Sequence, residues 1–83
     1  AERLGVTPDL MTMAKGLTNA AVPMGAVATS NEVYETVVHG VPAGIELFHG
    51  YTYSGHPLAS AAAIATLELH RAEDLPGRAR AIE

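Results

Sequence analysis

Leu10, Met11, Thr12, Met13 and Ala14 form a run of strand length that is apolar almost throughout and barely alternates. A strand with one wet face alternates polar and apolar residues, so a run without alternation describes a strand covered on both faces. Such strands belong to parallel or mixed sheets held between helices, which makes α/β the expected class. Thr7-Pro8-Asp9 supplies turn chemistry ahead of the run, and Lys15-Gly16 ends it. After a stretch of polar and small residues, Pro23-Met24 leads into a second short run, residues 25–29, which is expected to be another buried strand.

Helical signals follow. Thr29-Ser30-Asn31-Glu32 fits the S/T-x-x-E capping pattern, with Val33 and Val37, and Tyr34 and Val38, spaced one turn apart behind it. Residues 39–50 hold three glycines and Pro42, yet also Ile45, Leu47 and Phe48, an apolar load that predicts packing against something outside the chain. Pro57 suits a helix first turn, and Leu58, Ala61, Ala62, Ala65 and Leu69 recur at helical spacing, widened by Ile64 and Leu67. This helix is expected to be mostly buried. Asp74 reads as the N-cap of a last helix with Pro76 in its first turn.

Composition excludes several classes of function. With 83 residues the chain can form one small domain, but such a domain buries only about 60 to 65% of its unfolded surface. No cysteine is present, so neither disulfides nor thiolate metal sites support it. The net charge is −4, and Arg3, Lys15, Arg71, Arg78 and Arg80 are scattered, which leaves no basic stripe for nucleic acid. The longest apolar stretch, residues 58–67, is interrupted by Ser60 and Thr66 and falls well short of the ~20 residues a membrane span needs. Neither a signal sequence nor a membrane segment is visible, so a cytoplasmic location is expected. Both ends read as interior: Ala1 to Gly5 resembles mid-loop sequence, and the helical spacing of Leu75, Ala79 and Ile82 runs on without a closing glycine. The expected organisation is therefore one partial domain, residues 1–83, of a larger protein.

Lys15 is the first residue to weigh for chemistry. Lysine is most often a solvated surface charge. Its place directly after a buried strand argues otherwise, because ligands in open α/β sheets collect beyond the carboxyl ends of strands. A partly desolvated lysine there would hold more free amine and could condense with a carbonyl. Both readings stand on the residues alone.

The stretch Met13-Ala14-Lys15-Gly16-Leu17-Thr18-Asn19-Ala20-Ala21-Val22-Pro23-Met24-Gly25-Ala26-Val27 closely resembles the cofactor-lysine segment of class III aminotransferases, within the fold-type-I pyridoxal-phosphate enzymes. Gly5-Val6-Thr7-Pro8-Asp9 resembles the lead-in of that family. His49-Gly50-Tyr51-Thr52-Tyr53-Ser54-Gly55-His56-Pro57-Leu58-Ala59 resembles its second hallmark, in which a threonine, a small-residue turn and a proline open a long helix. The resemblance runs the length of the chain. Thr18-Asn19 and Tyr51-Thr52-Tyr53-Ser54 look most like the ω-amino acid:pyruvate or β-alanine:pyruvate branch. Ala20 departs from that branch, which generally has glycine there, and alanine tolerates positive φ poorly.

The resemblance implies part of the large domain of a fold-type-I transferase: a mixed, mostly parallel sheet between helices, running into the long helix towards a C-terminal small domain. It implies that Lys15 holds pyridoxal 5'-phosphate as a Schiff base and shuttles a proton between substrate and cofactor. Thr52 would bind the cofactor phosphate of a neighbouring subunit, with help from the Tyr51 amide, in a homodimer with shared active sites. An amino group would pass from an ω-amino acid or amine to a keto acid such as pyruvate. The carboxylate that faces the pyridine nitrogen in the family does not occur among these residues, so the isolated chain is expected to be inactive.

Other candidates have plainer readings. His39, His49, His56 and His70 show no metal-ligand spacing, and no metal is expected; His49 and His56 instead suit a role in ordering the loop around Thr52. Tyr34, Tyr51 and Tyr53 could act as acids or bases, but a buried ring with a wet hydroxyl is commoner. Asp9 suits a turn former. Two alternatives to a transaminase remain: an aminomutase or decarboxylase of the same superfamily, and a non-catalytic α/β interaction module in which Lys15 is a surface charge.

Overall fold

The computed structural model describes residues 1–40, Pro42 and residues 47–83. Ile45, counted above in the apolar load of its loop, lies outside the described residues. A 3-10 turn, Glu2–Leu4, precedes strand β1 (Leu10–Ala14), strand β2 (Gly25–Thr29) and helices α1 (Asn31–His39), α2 (Pro57–Ala72) and α3 (Leu75–Ala81). The α/β expectation holds, and both strands fall where the two apolar runs predict them. By its contacts the chain divides into two compact units, Ala1–Met13 with Ala26–Ser54, and Ala14–Gly25 with Gly55–Glu83.

In the first unit β1 and β2 are hydrogen-bonded neighbours. The Ser30 amide, just past the end of β2, donates to the Asp9 carbonyl, just before the start of β1, at 2.8 Å. A start beside an end makes the pair antiparallel, with Ala14 and Gly25 opposite each other at the far end. The strands are not covered on both faces as expected. Leu10, Met11 and Val27 are 59%, 40% and 60% exposed. Their sequence asks for two covering layers, and these 83 residues do not supply them.

Helix α1 starts one residue later than the capping pattern predicts. Ser30, not Thr29, is the N-cap, and its Oγ accepts from the Val33 amide at 3.4 Å. Serine and threonine cap in the same way, so a pair of them leaves the start uncertain by one residue. Thr36 Oγ1 donates back to the Glu32 carbonyl at 2.8 Å, and the helix closes on the Gly40 amide.

The second unit holds the connection of residues 15–24 and helices α2 and α3, which pack on each other. It contains every buried residue among those described: Ala59, Ala63 and Thr18. Ala59 and Ala63 lie one turn apart on one face of α2, where the lack of bulk permits close approach. The rest of α2 is not mostly buried as expected, since Leu58, Ile64, Leu67 and Leu69 are all more than half exposed. Pro57 opens the helix in its first turn as predicted. Its cap was not foreseen: His56 Nδ1 accepts from the Ala59 amide at 3.4 Å. Asp74 caps α3 through Oδ1 and the Gly77 amide at 3.2 Å, and Arg78 reaches Glu73 at 3.0 Å across the start of the helix. No helix among the described residues is long and apolar enough to cross a membrane.

Candidate active site

Lys15 is the first residue after β1, as the sequence predicts. Its backbone sits in the left-handed region at φ 55, where a side chain with a Cβ is disfavoured by about 1–2 kcal/mol. A non-glycine residue there is uncommon and marks a place where the surrounding structure overrides local preference. Two further residues of the same connection share it, Asn19 at φ 51 and Ala20 at φ 60. Asparagine tolerates this conformation, whereas alanine has no compensating side-chain bond. Ala20, where the resembling branch has glycine, thus adopts the conformation that favours glycine.

The connection is folded back on Lys15. The Lys15 carbonyl accepts from the Ala20 amide at 3.1 Å and from the Thr18 amide at 3.4 Å, and the Ala21 amide donates to the Thr18 carbonyl at 3.0 Å. The Thr18 hydroxyl donates to the Val22 carbonyl, and Thr18 is 2% exposed. Lys15 itself is exposed, and among the described residues its amine has no ion-pair partner. The desolvation weighed from the sequence is not provided by this chain.

Beside this connection, Asn19 lines a cavity of about 240 Å³ together with Ala65, Thr66, Leu69 and His70 of α2 and Leu75 of α3. The turn after Lys15 therefore faces, across this cavity, the helix that His56 caps.

Tyr51 and Thr52 belong to the first unit and come together in one tight turn. The Ser54 amide donates to the Tyr51 carbonyl at 3.0 Å, and the Tyr51 amide donates to Ser54 Oγ at 3.0 Å. Doubly tied, the turn leaves Thr52 at its outer corner, exposed and with no hydrogen bond to its hydroxyl among the described residues. The Tyr51 amide is committed to Ser54, and an anion would have to displace that hydroxyl to use it. The Tyr51 ring meets His49 edge-on at 5.0 Å between centroids. His49 and His56 thus have structural tasks on either side of the turn. Neither Thr18 nor Ser54 stands out in the sequence as more than part of a motif. The only sequence signal for Ser54 is its place three residues after Tyr51, the spacing at which a hydroxyl can close a turn.

The model of the family Aminotransferase class-III matches residues 1–83. The chain belongs to the class III aminotransferases. Among its relatives, the omega-aminotransferase of Caulobacter vibrioides is 65% identical over 83 residues, covering 100% of this chain and 19% of that protein. The beta-alanine–pyruvate aminotransferase of Pseudomonas aeruginosa is 52% identical over 77 residues, covering 90% of this chain and 17% of its own length. A thermostable (S)-enantioselective omega-transaminase from Thermomicrobium roseum superposes with a TM-score of 0.79 at 43% identity, covering 89% of this chain and 16% of that one. The class III chain described here therefore spans less than a fifth of the curated relatives it matches, and its fold is that of a segment of solved transaminases.

Proposed function

We propose that these 83 residues are the lysine-bearing segment of a complete pyridoxal-phosphate-dependent aminotransferase, which moves an amino group from an ω-amino acid or amine to a keto acid such as pyruvate. The observation that carries this reading is Lys15, a primary amine directly after β1 with no ion-pair partner among the described residues, in a left-handed conformation that the following connection maintains. Membership of the class III aminotransferases and the names of the similar proteins support the reaction type.

The residues present fit a cofactor that carries an aldehyde and a phosphate. An accessible primary amine is the group that condenses with an aldehyde. A hydroxyl without a partner among the described residues, at the corner of a tight turn ahead of a helix, is a ready contact for a phosphate oxygen. When bound, the pyridine ring supplies an electron sink for charge that develops on the substrate carbon. Lys15 Nζ would hold the cofactor through its aldehyde and, as a free amine, would carry a proton from the substrate carbon to the cofactor, the shift that amino transfer requires. Thr52 Oγ1 would donate to the cofactor phosphate, that of the neighbouring subunit if the working enzyme is a homodimer with shared active sites. The Tyr51 amide adds a second donor only if it exchanges its bond to Ser54 Oγ. The Ser54 amide would still donate to the Tyr51 carbonyl after that exchange, and this remaining bond would close the turn that carries Thr52.

Borohydride reduction of the complete enzyme with pyridoxal phosphate, followed by peptide mass mapping, tests the assignment. The expected result is a phosphopyridoxyl mass on Lys15 and its loss in Lys15→Ala. A label on another lysine, with turnover intact in the Lys15 variant, would remove the reading.

A further inference from the structure

Among the described residues one polar side chain is buried, and it belongs to Thr18, three positions after the candidate cofactor lysine. A buried hydroxyl costs stability unless it is hydrogen-bonded, so its partner says what it is for. That partner is the Val22 carbonyl, four residues on, which draws the connection into a closed loop. The same residue's backbone takes part twice more, its amide facing the Lys15 carbonyl and its carbonyl receiving the Ala21 amide. Three residues of the loop, Lys15 among them, sit at positive φ, a conformation each resists unless other contacts impose it. Thr18 makes the largest share of the contacts that impose it.

We propose that Thr18 is a positioning residue for Lys15: its buried hydroxyl, donated to the Val22 carbonyl, locks the loop that holds Lys15 in the left-handed conformation and so fixes where its side chain leaves the end of β1. The proposal rests on the reading that Lys15 carries the cofactor and moves the proton. Proton transfer at carbon depends steeply on the placement of the base, and a displacement of about 1 Å can cost on the order of 100-fold. Thr18 is buried within the connection. Its influence is entirely through the backbone that it pins.

The test uses the complete enzyme loaded with pyridoxal phosphate. Thr18→Val keeps the shape but removes the donor and leaves the Val22 carbonyl without its partner; Thr18→Ser keeps the donor. Borohydride labelling of the wild type is run first. A label away from Lys15 refutes the site assignment and the proposal with it, whereas a label on Lys15 leaves the proposal to stand or fall on kinetics. In single turnovers with an amino donor, Thr18→Val is expected to slow the cofactor's absorbance change per loaded site by about 10- to 100-fold. The KM for the donor should change little, and a larger primary isotope effect is expected with donor deuterated at the reacting carbon. Thr18→Ser should recover most of the rate. If the valine variant does not fold, Thr18→Ala, which leaves room for a water to satisfy Val22, gives the same readings. A loaded valine or alanine variant with wild-type rate and isotope effect, whatever its thermal stability, overturns the proposal.

Discussion

Replacing Ala20 by glycine probes whether the backbone after Lys15 is held in a conformation that a Cβ resists. At φ 60 an alanine pays about 1–2 kcal/mol that glycine does not. Glycine in turn loses about 0.5–1 kcal/mol more conformational freedom when the loop orders. The difference favours the glycine loop by up to about 1.5 kcal/mol, with a central value of about 0.75 kcal/mol, a factor of roughly 3 to 4 in its opening equilibrium. Hydrogen exchange in the complete enzyme reads this directly, because the Ala20 and Ala21 amides are bonded to the Lys15 and Thr18 carbonyls and exchange only when the loop opens. Ala20→Gly should slow exchange of the peptide spanning residues 15–24 by about that factor. Ala20→Val, a β-branched residue in a region closed to it, should speed it. Equal exchange in all three proteins, or faster exchange with glycine, would show that Ala20 does not hold this conformation in the assembled enzyme.

Two further outcomes are expected. The isolated 83-residue chain should show no sharp unfolding transition and no stoichiometric cofactor absorbance, because Ala59 and Ala63 are the only buried apolar residues among those described; a cooperative melt would contradict this. In a peptide of residues 54–73, His56→Ala should lower helicity by circular dichroism, equivalent to about 0.5–1 kcal/mol, while His56→Asn retains a cap; identical spectra would exclude the imidazole as the capping group.

Local chemistry made the elements legible. Two short apolar runs marked β1 and β2, Pro57 marked the first turn of α2, and Asp74 with Pro76 marked the start of α3, because each signal acts within a turn of its own position. Lys15 at the end of β1 followed from the same reading. What the pattern could not locate was cover. The unbroken apolar run of β1 and the wide stripe of α2 specify burial, but the atoms that would bury Leu10, Leu58 or Ile64 are not supplied by this chain. Nor could it foresee His56 as a cap, since imidazole is a rare choice beside serine, asparagine and aspartate. Thr18 was hidden for a related reason: a threonine among small polar residues reads as surface, and only the folded loop turns its hydroxyl inward.

The antiparallel pairing of β1 with β2 also bears on how this region tolerates change. With Ala14 facing Gly25, the excursion that begins at Lys15 leaves and returns through one rung of the ladder, so the lysine is moored at the strand and not partway along a tether. Insertions or deletions between Pro23 and Gly25 would be taken up in the far limb of the excursion, beyond the Thr18–Val22 bond, while Lys15 stayed one peptide bond from its mooring. Sequence drift can thus reshape the surroundings of the amine while its root stays where it is.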